Sequence, residues 1–340
     1  MSLFDRDKSA ERMPVSLITG FLGSGKTTLL NRLLRHPGMS DSAVIVNEFG
    51  EIGLDHLLMQ AVSGEVAVMA NGCICCTIRS DLADTLRDLL ARRDAGAVPP
   101  FSRVLVETTG LADPAPIAQM LLNNPLVSHF ARLDAIVTTV DAVNAAQQMR
   151  EHPQAVKQVA LADRLLLTKT DLTEGEGLAE RLAALNPAAP LITVHHGDIA
   201  PDRLFGAGLF DPARKTPDVR RWLNEDAYHD HHHAHHDHDD GIAAFCLSLD
   251  APMDWQAVSG WLAALRQWRG ADLLRVKGIL CLRDEDRPVV IHGVHHIFHP
   301  PVRLDAWPDA DHRSRIVFIT RGLPQPEVEA LAREARVLTG

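Results

Sequence analysis

Along the first two hundred residues, short runs of β-branched and aliphatic side chains alternate with amphipathic stretches. VSLIT (15–19), AVIVN (43–47), RVLVE (103–107), AIVTTV (135–140), RLLLT (164–168) and LITV (191–194) are almost continuously apolar. That is the pattern of parallel strands covered on both faces. Between them, 26–35, 80–93 and 177–185 predict helices; in the first, Leu29, Leu30, Leu33 and Leu34 share one face. The alternation predicts a doubly wound α/β domain with a mainly parallel sheet, its ligand beyond the carboxyl ends of the strands.

The pattern changes after residue 210. Pro, Asp and Arg appear, followed by a tract in which positions 229–240 hold seven His and four Asp, a composition suited to an exposed linker. A second pattern starts at Gly241. IAAFCLSL (242–249), LLRVKGILCL (273–282), PVVIHGVHHIF (288–298) and RIVFIT (315–320) predict strands, and 255–269 and 327–338 predict helices. The expected plan is a tail at 1–13, a nucleotide-binding domain at 14–210, a linker at 211–240 and a smaller α+β domain of antiparallel character at 241–340.

Composition narrows the function classes. Hydrophobic residues make up 46% and charged residues 23% of the 340 positions, ample for a buried core. A formal net charge of −10 argues against a broad electrostatic grip on nucleic acid or anionic lipid. The opening MSLFDRDKSAERM is charged and lacks an apolar core, so no secretory signal is expected. No apolar run approaches ~20 residues, so no membrane span is expected. Five cysteines, three of them clustered, do not form a disulfide framework; they suit a reducing cytosol and metal or redox chemistry.

The first chemical motif is GFLGSGKT at 20–27, which fits G-x-x-x-x-G-K-[ST] between a strand and a helix. Backbone N–H groups of Gly20, Gly23, Ser24 and Gly25 would turn toward phosphate oxygens at a helix N-terminus. Lys26 reaches the β/γ phosphates and the Thr27 hydroxyl offers a ligand to Mg²⁺. Glu107, at the tip of RVLVE, is the acid expected on a later strand, and the following Gly110 N–H is placed to sense a γ-phosphate. Lys26 and Glu107 are therefore the candidate catalytic groups. Thr168, Lys169 and Asp171 follow RLLLT. A carboxylate at 171 accepts from both the ring N–H and the amino group of guanine, donors that adenine cannot offer as a pair. The usual guanine motif has Asn where this chain has Thr168; GTP is the expected nucleotide, with ATP left open by four residues.

The second motif is GCICC at 72–76. Three thiolates at Cys73, Cys75 and Cys76 favour Zn²⁺, Cu(I) or a thiophilic Co²⁺ over Mg²⁺ or Ca²⁺. The fourth ligand must come from elsewhere: Glu48, Glu51, a histidine, water or a client protein. The lone Cys246 and Cys281 read as small apolar strand residues. The His/Asp tract divides evenly between a weak metal buffer and a solvated linker. His292, His295, His296 and His299 are dense, but alternating strand positions would make them facing residues rather than ligands.

GFLGSGKTTLLNRLL, VNEFGEIGLD, NGCICCTIRSDL, VETTGLADP and LLLTKTDL, in that order, resemble the CobW-like family of P-loop GTPases, which includes the zinc-regulated GTPase metalloprotein activators. The resemblance runs through about residue 200; the His-rich linker and C-terminal domain, with RVKGIL and RIVFI, are similar but less diagnostic. It implies a P-loop NTPase fold, phosphate binding by residues 23–28 (Thr28 included), Glu48 in a switch region near Mg²⁺, Glu107 supporting that ion, Gly110 opening the second switch, and Cys73, Cys75 and Cys76 as the metal motif. It also implies a cytosolic GTPase that carries Zn²⁺, or Co²⁺, to a client metalloprotein, with a homodimer around nucleotide as an analogy only. A metal-buffering or storage protein, a cobalt-handling GTPase of cobalamin synthesis, and a signalling GTPase with a structural zinc are the alternatives. NEFGE and ICC are both expected near the carboxyl edge of the sheet, beside the nucleotide.

Overall fold

The computed structural model describes residues 12–47, 59–63, 66–69, 74–78, 81–173, 175, 177–206 and 241–338. Glu48, Glu51, Cys73 and the His/Asp tract at 229–240 lie outside the described residues. Contacts divide the described chain into two units, one of 12–180 with 189–206 and one of 181–188 with 241–338.

The first unit is built on one sheet. Its elements in chain order are β1 (Met13–Gly20), α1 (Lys26–Leu33), β2 (Ser42–Asn47), β3 (Met59–Ser63), β4 (Val66–Met69), β5 (Ile74–Ile78), α2 (Leu82–Asp94), β6 (Arg103–Glu107), α3 (Ala115–Asn123), α4 (Pro125–Ser128), β7 (Ala131–Asp141), α5 (Ala145–Glu151), α6 (Pro153–Leu161), β8 (Arg164–Thr168), the first turn of α7 (Leu178–Leu185) and β9 (Leu191–Thr193). The strand order is β3-β4-β5-β2-β6-β1-β7-β8-β9. All pairs from β5 to β9 are parallel; β4 and β3 join antiparallel at the β5 side. Strand order reverses at β1, with β6 and β2 to one side and β7, β8 and β9 to the other. Such a switch point opens a crevice at the carboxyl end of the central strand, here where Gly20 begins its loop.

Burial explains the apolar runs. Every residue of β8 and all but Pro14 in β1 are buried, as a strand sandwiched between helical layers requires. Leu29, Leu30 and Leu33 of α1 pack with Ile18, Val44, Leu105, Val137 and Leu166. α2 starts where the Asp81 side chain accepts the Ala83 N–H at 2.8 Å and ends on Arg92 and Arg93, charges that suit the two ends of its dipole.

β5 is not among the strands expected from the apolar runs. Cys75 and Cys76 lie within it. Cys75 is level with Val44 and Cys76 with Ile45 on β2, while Ala67 and Val66 face them from β4. The outer edge of β2 needs hydrogen-bond partners, and ICCTI supplies a run that serves as a strand once Cys is counted as a small apolar residue.

The second unit carries β10 (Ile242–Leu249), α8 (Trp255–Arg269), β11 (Leu273–Leu282), β12 (Glu285–Val294), β13 (Ile297–Phe298), β14 (Val302–Arg303), β15 (Ser314–Arg321) and α9 (Gln325–Glu334). The sheet is antiparallel, in the order β10-β15-β11-β12-β13 with β14 also on β12. Asp254 caps α8 by accepting the Ala257 N–H at 2.9 Å. The helix buries Val258, Trp261, Leu262 and Leu265 against Phe245, Val276 and Phe318. The four dense histidines straddle a hairpin end rather than one strand: His292 is in β12, His295 turns at φ 52°, and His299 donates its backbone N–H to the His292 carbonyl at 2.8 Å.

Candidate nucleotide site

Gly20 ends β1, and the loop to α1 follows. Gly25 caps α1 at φ 95°, a left-handed conformation that excludes side chains at low cost, so Lys26 starts the helix with its N–H groups facing the crevice. The loop is braced from below by hydroxyls. Ser24 Oγ and Thr139 Oγ1 are 2.7 Å apart, and Thr139 Oγ1 donates to the Thr19 carbonyl at 3.2 Å. Thr108 Oγ1 bonds Thr19 Oγ1 at 2.8 Å. All are buried, so each hydroxyl needs its partner.

Lys26, Thr27 and Glu107 converge at the mouth of the crevice. Lys26 Nζ donates to the Gly20 and Phe21 carbonyls at 2.7 and 3.1 Å, folding the cation over its own loop. Burial pushes the Lys26 ammonium below its ordinary value, and the charge of Glu107 partly offsets this. Burial likewise pushes the Glu107 carboxyl up, against the opposing charge of Lys26 and a hydrogen bond with the Thr27 side chain. A carboxylate and a hydroxyl side by side are hard oxygen donors, a set that fits Mg²⁺. Gly23 and Thr28 are exposed on the loop and first helical turn.

Behind Gly25 and Thr28 opens a cavity of about 280 Å³, walled by Leu29, Leu166, Thr168, Lys169, Asp171, Leu172 and Val194. Asp171 is among the residues that line it. Lys169 stands at φ 60° and its Nζ donates to Asp141 Oδ2 at 2.7 Å, which leaves the stem along the cavity. Burial would raise the Asp141 carboxyl, but hydrogen bonds from Lys169, Asn144 and the Val143 N–H outweigh it and hold the group below the ordinary value. The Thr168 hydroxyl lies 2.9 Å from the Ser24 carbonyl and 3.2 Å from that of Val140, tying the strand end to the phosphate loop.

Three contributors escape the sequence reading. Asp141, at the end of β7, anchors Lys169. His196 and Gly197, after β9, wall the cavity with left-handed backbones at φ 52° and 74°; a His-Gly pair just past a strand tip was the available signal. Gln158 of α6 donates to the Gly110 and Ala112 carbonyls at 3.2 and 2.9 Å. Gly110 itself rests on the phosphate loop, where a Cβ would come within 2.7 Å of the Leu22 nitrogen.

The cysteine strand lies two strands from Glu107. Thr77 of β5, Val46 of β2 and Glu107 of β6 share one row, and Cys76 is one row short of it. Among the described residues no group of three or more His, Cys, Asp or Glu is arranged to hold a metal ion. No helix among the described residues is long and apolar enough to cross a membrane.

Comparison with known proteins agrees with this geometry. The profile of the CobW/HypB/UreG nucleotide-binding domain matches residues 14–193, and that of the cobalamin synthesis protein cobW C-terminal domain matches 242–336. The chain is 38% identical over 317 residues to the zinc chaperone YjiA of Escherichia coli, covering 93% of this chain and 96% of that one. It is 30% identical over 367 residues to the zinc chaperone CobW of Pseudomonas aeruginosa, covering 96% and 92%. The crystal structure of Zn(II)-bound YjiA GTPase from E. coli superposes with a TM-score of 0.74 at 36% identity, over 96% of this chain and 99% of that one. With both domain profiles in order and a relative aligned end to end, the chain belongs to the CobW family of P-loop GTPases.

Proposed function

We propose that this protein is a metallochaperone driven by GTP: it holds Zn²⁺ on Cys73, Cys75 and Cys76, with Glu48 nearby, and hands the ion to a client metalloprotein when GTP is hydrolysed. Gly20, Gly23, Ser24, Gly25 and Thr28 bind the phosphates by their backbone N–H groups, and Lys26 swings from its two loop carbonyls to the β/γ oxygens. Thr27 and Glu107 hold Mg²⁺, whose charge, when bound, offsets that developing on the phosphates. Asp171 reads guanine, with Lys169 beside it, while Thr168 stiffens the loop.

One observation carries the coupling of metal to nucleotide. β5, with two of the thiols, pairs with β2, which pairs with β6 and so with Glu107. Two strand spacings are about 10 Å, close enough for β2, which pairs with both strands, to answer to both. The names of two relatives as zinc chaperones support zinc as the ion, with Co²⁺ as the competitor to test.

The test is a competition titration of Zn²⁺ and of Co²⁺ on purified protein loaded with a non-hydrolysable GTP analogue or with GDP, with Cys75→Ser as control. Zinc affinity should differ by about 5-fold or more between the two states, and the control should lose the site. Equal affinities would sink the carrier reading. A zinc ion whose removal unfolds the protein would mark a structural staple instead.

A further inference from the structure

Most of α6 is buried, and one of its buried residues is polar. Val156, Val159, Ala160 and Leu161 are apolar and buried, yet Gln158 is only 1% exposed. An amide is costly to bury without partners. Its Nε2 finds two, the carbonyls of Gly110 and Ala112. The neighbouring Lys157 Nζ donates to Asp113 Oδ2 at 2.9 Å, and Asp113 Oδ1 accepts the Ala115 N–H at 2.9 Å at the start of α3.

The same segment is pinned from its other side. Gly110 is packed so tightly on Leu22 that no side chain fits. The turn leading into α6 touches the phosphate loop again, where His152 stacks on Phe21 with ring centres 4.8 Å apart. Residues 110–113 are therefore clamped between the phosphate loop and one face of α6.

We infer that Gln158 is a positioning residue for GTP hydrolysis: by gripping the Gly110 and Ala112 carbonyls it holds the Gly110 N–H at the phosphate loop. This rests on the reading of Gly110 as the start of the second switch. Gln158 does not touch nucleotide. It acts through the backbone that does, and a displacement of about 1 Å at such a site is enough to slow chemistry severely.

The amide is required for its donors, which gives a diagnostic substitution. In Gln158→Glu an ionised carboxylate would face two carbonyl oxygens with nothing to donate. Burial and that repulsion favour the protonated form, which donates through one O–H. The experiment measures GTP hydrolysis by the full-length protein with Mg²⁺ from pH 6 to pH 8, each variant scaled to wild type at the same pH. GDP affinity and thermal midpoint are measured in parallel. Gln158→Leu should lower kcat at least ~10-fold at every pH with KM little changed. Gln158→Glu should match it at pH 8 and regain rate relative to wild type toward pH 6.

A leucine variant within about twofold of wild type overturns the inference. So does a loss of rate matched by an equal loss of GDP affinity, which would mean general damage to the site. A Gln158→Glu profile parallel to wild type overturns it too. That variant, compared with itself at two pH values, carries the test alone if Gln158→Leu does not fold. A wild-type chain without GTPase activity would instead strike at the reading of the whole site, whereas a normal wild-type rate left intact by both variants removes only the role of Gln158.

Discussion

Two buried cations, Lys26 beside the first sheet and Arg315 in the second, are held in different ways. In the first, Lys26 opens α1 and Glu107 ends β6, and the cation rests on two backbone carbonyls of its own loop. In the second, Arg315 is 1% exposed and lies 3.4 Å from Asp309 and 3.8 Å from Asp311. Hydrogen bonds from Arg313, with burial opposing, hold the Asp311 carboxyl well below the usual range. The first arrangement leaves a lysine whose partners a phosphate can replace, and both its charges are disfavoured by burial. The second closes its ions on one another. Buried charge marks a site when the partner is exchangeable, and marks architecture when it is not.

The sharpest way to break this contrast is to delete one group of each kind. Lys26→Ala should lower GTP turnover by about 10²–10³, the scale of losing one preorganised donor at a phosphoryl group, while the fold survives because two loop carbonyls lose a donor and Glu107 a counter-charge, all at the crevice. A steady-state GTPase assay with circular dichroism checks both. Retained turnover would remove Lys26 from the chemistry.

The second sheet should answer in stability instead. Trp261 is fully buried, with its ring 5.9 Å from that of Phe318, which stacks on Phe245 at 5.4 Å. Trp261→Ala should cost about 3–5 kcal/mol by opening a cavity in this unit, read by urea unfolding. A cost below ~1 kcal/mol would mean that the core collapses into the space.

How much of this was readable from residues alone follows the range of the forces. β10, α8, β11, β6 and β8 match the expected spans to the residue, because periodicity and caps are local. The phosphate loop was legible for the same reason: the glycines and the Lys-Thr pair act within eight residues. The tie from Thr168 to the phosphate loop was not legible, because which carbonyl its hydroxyl meets depends on β1 and β8 meeting across the crevice. β5 was hidden because cysteine was weighed as a ligand and not as a strand former. Gln158 was hidden in a helix; a glutamine among Val156, Val159 and Ala160 is the trace it left. The placing of Cys73 and Glu48 rests on sequence alone.

Thr168 gives a subtler probe. Thr168→Val keeps the shape and removes the hydroxyl that ties β8 to Ser24. The Ser24 carbonyl then loses one donor, a loss of about 1 kcal/mol. GTP affinity should fall several-fold, because the loop that Gly25 and Ser24 form is less well held. Binding of a fluorescent GTP analogue measures this. An unchanged affinity would show that the Ser24–Thr139 contact is brace enough.

The smallest expected effect is the most telling about the second sheet. Among the described residues the Trp261 indole N–H is buried with no hydrogen-bond partner. An orphan donor of this kind costs about 1–3 kcal/mol. Trp261→Phe removes that donor together with part of the ring. The lost apolar contact works against the mutant at roughly 25 cal/mol per Å² no longer buried, and the relieved N–H works for it. The two terms oppose each other at similar size, so the midpoint in urea should move by no more than the equivalent of ~1 kcal/mol. If the phenylalanine variant were instead destabilised as strongly as the alanine one, the indole N–H would have to be satisfied, and this core would hold a polar contact as specific as those at the phosphate loop.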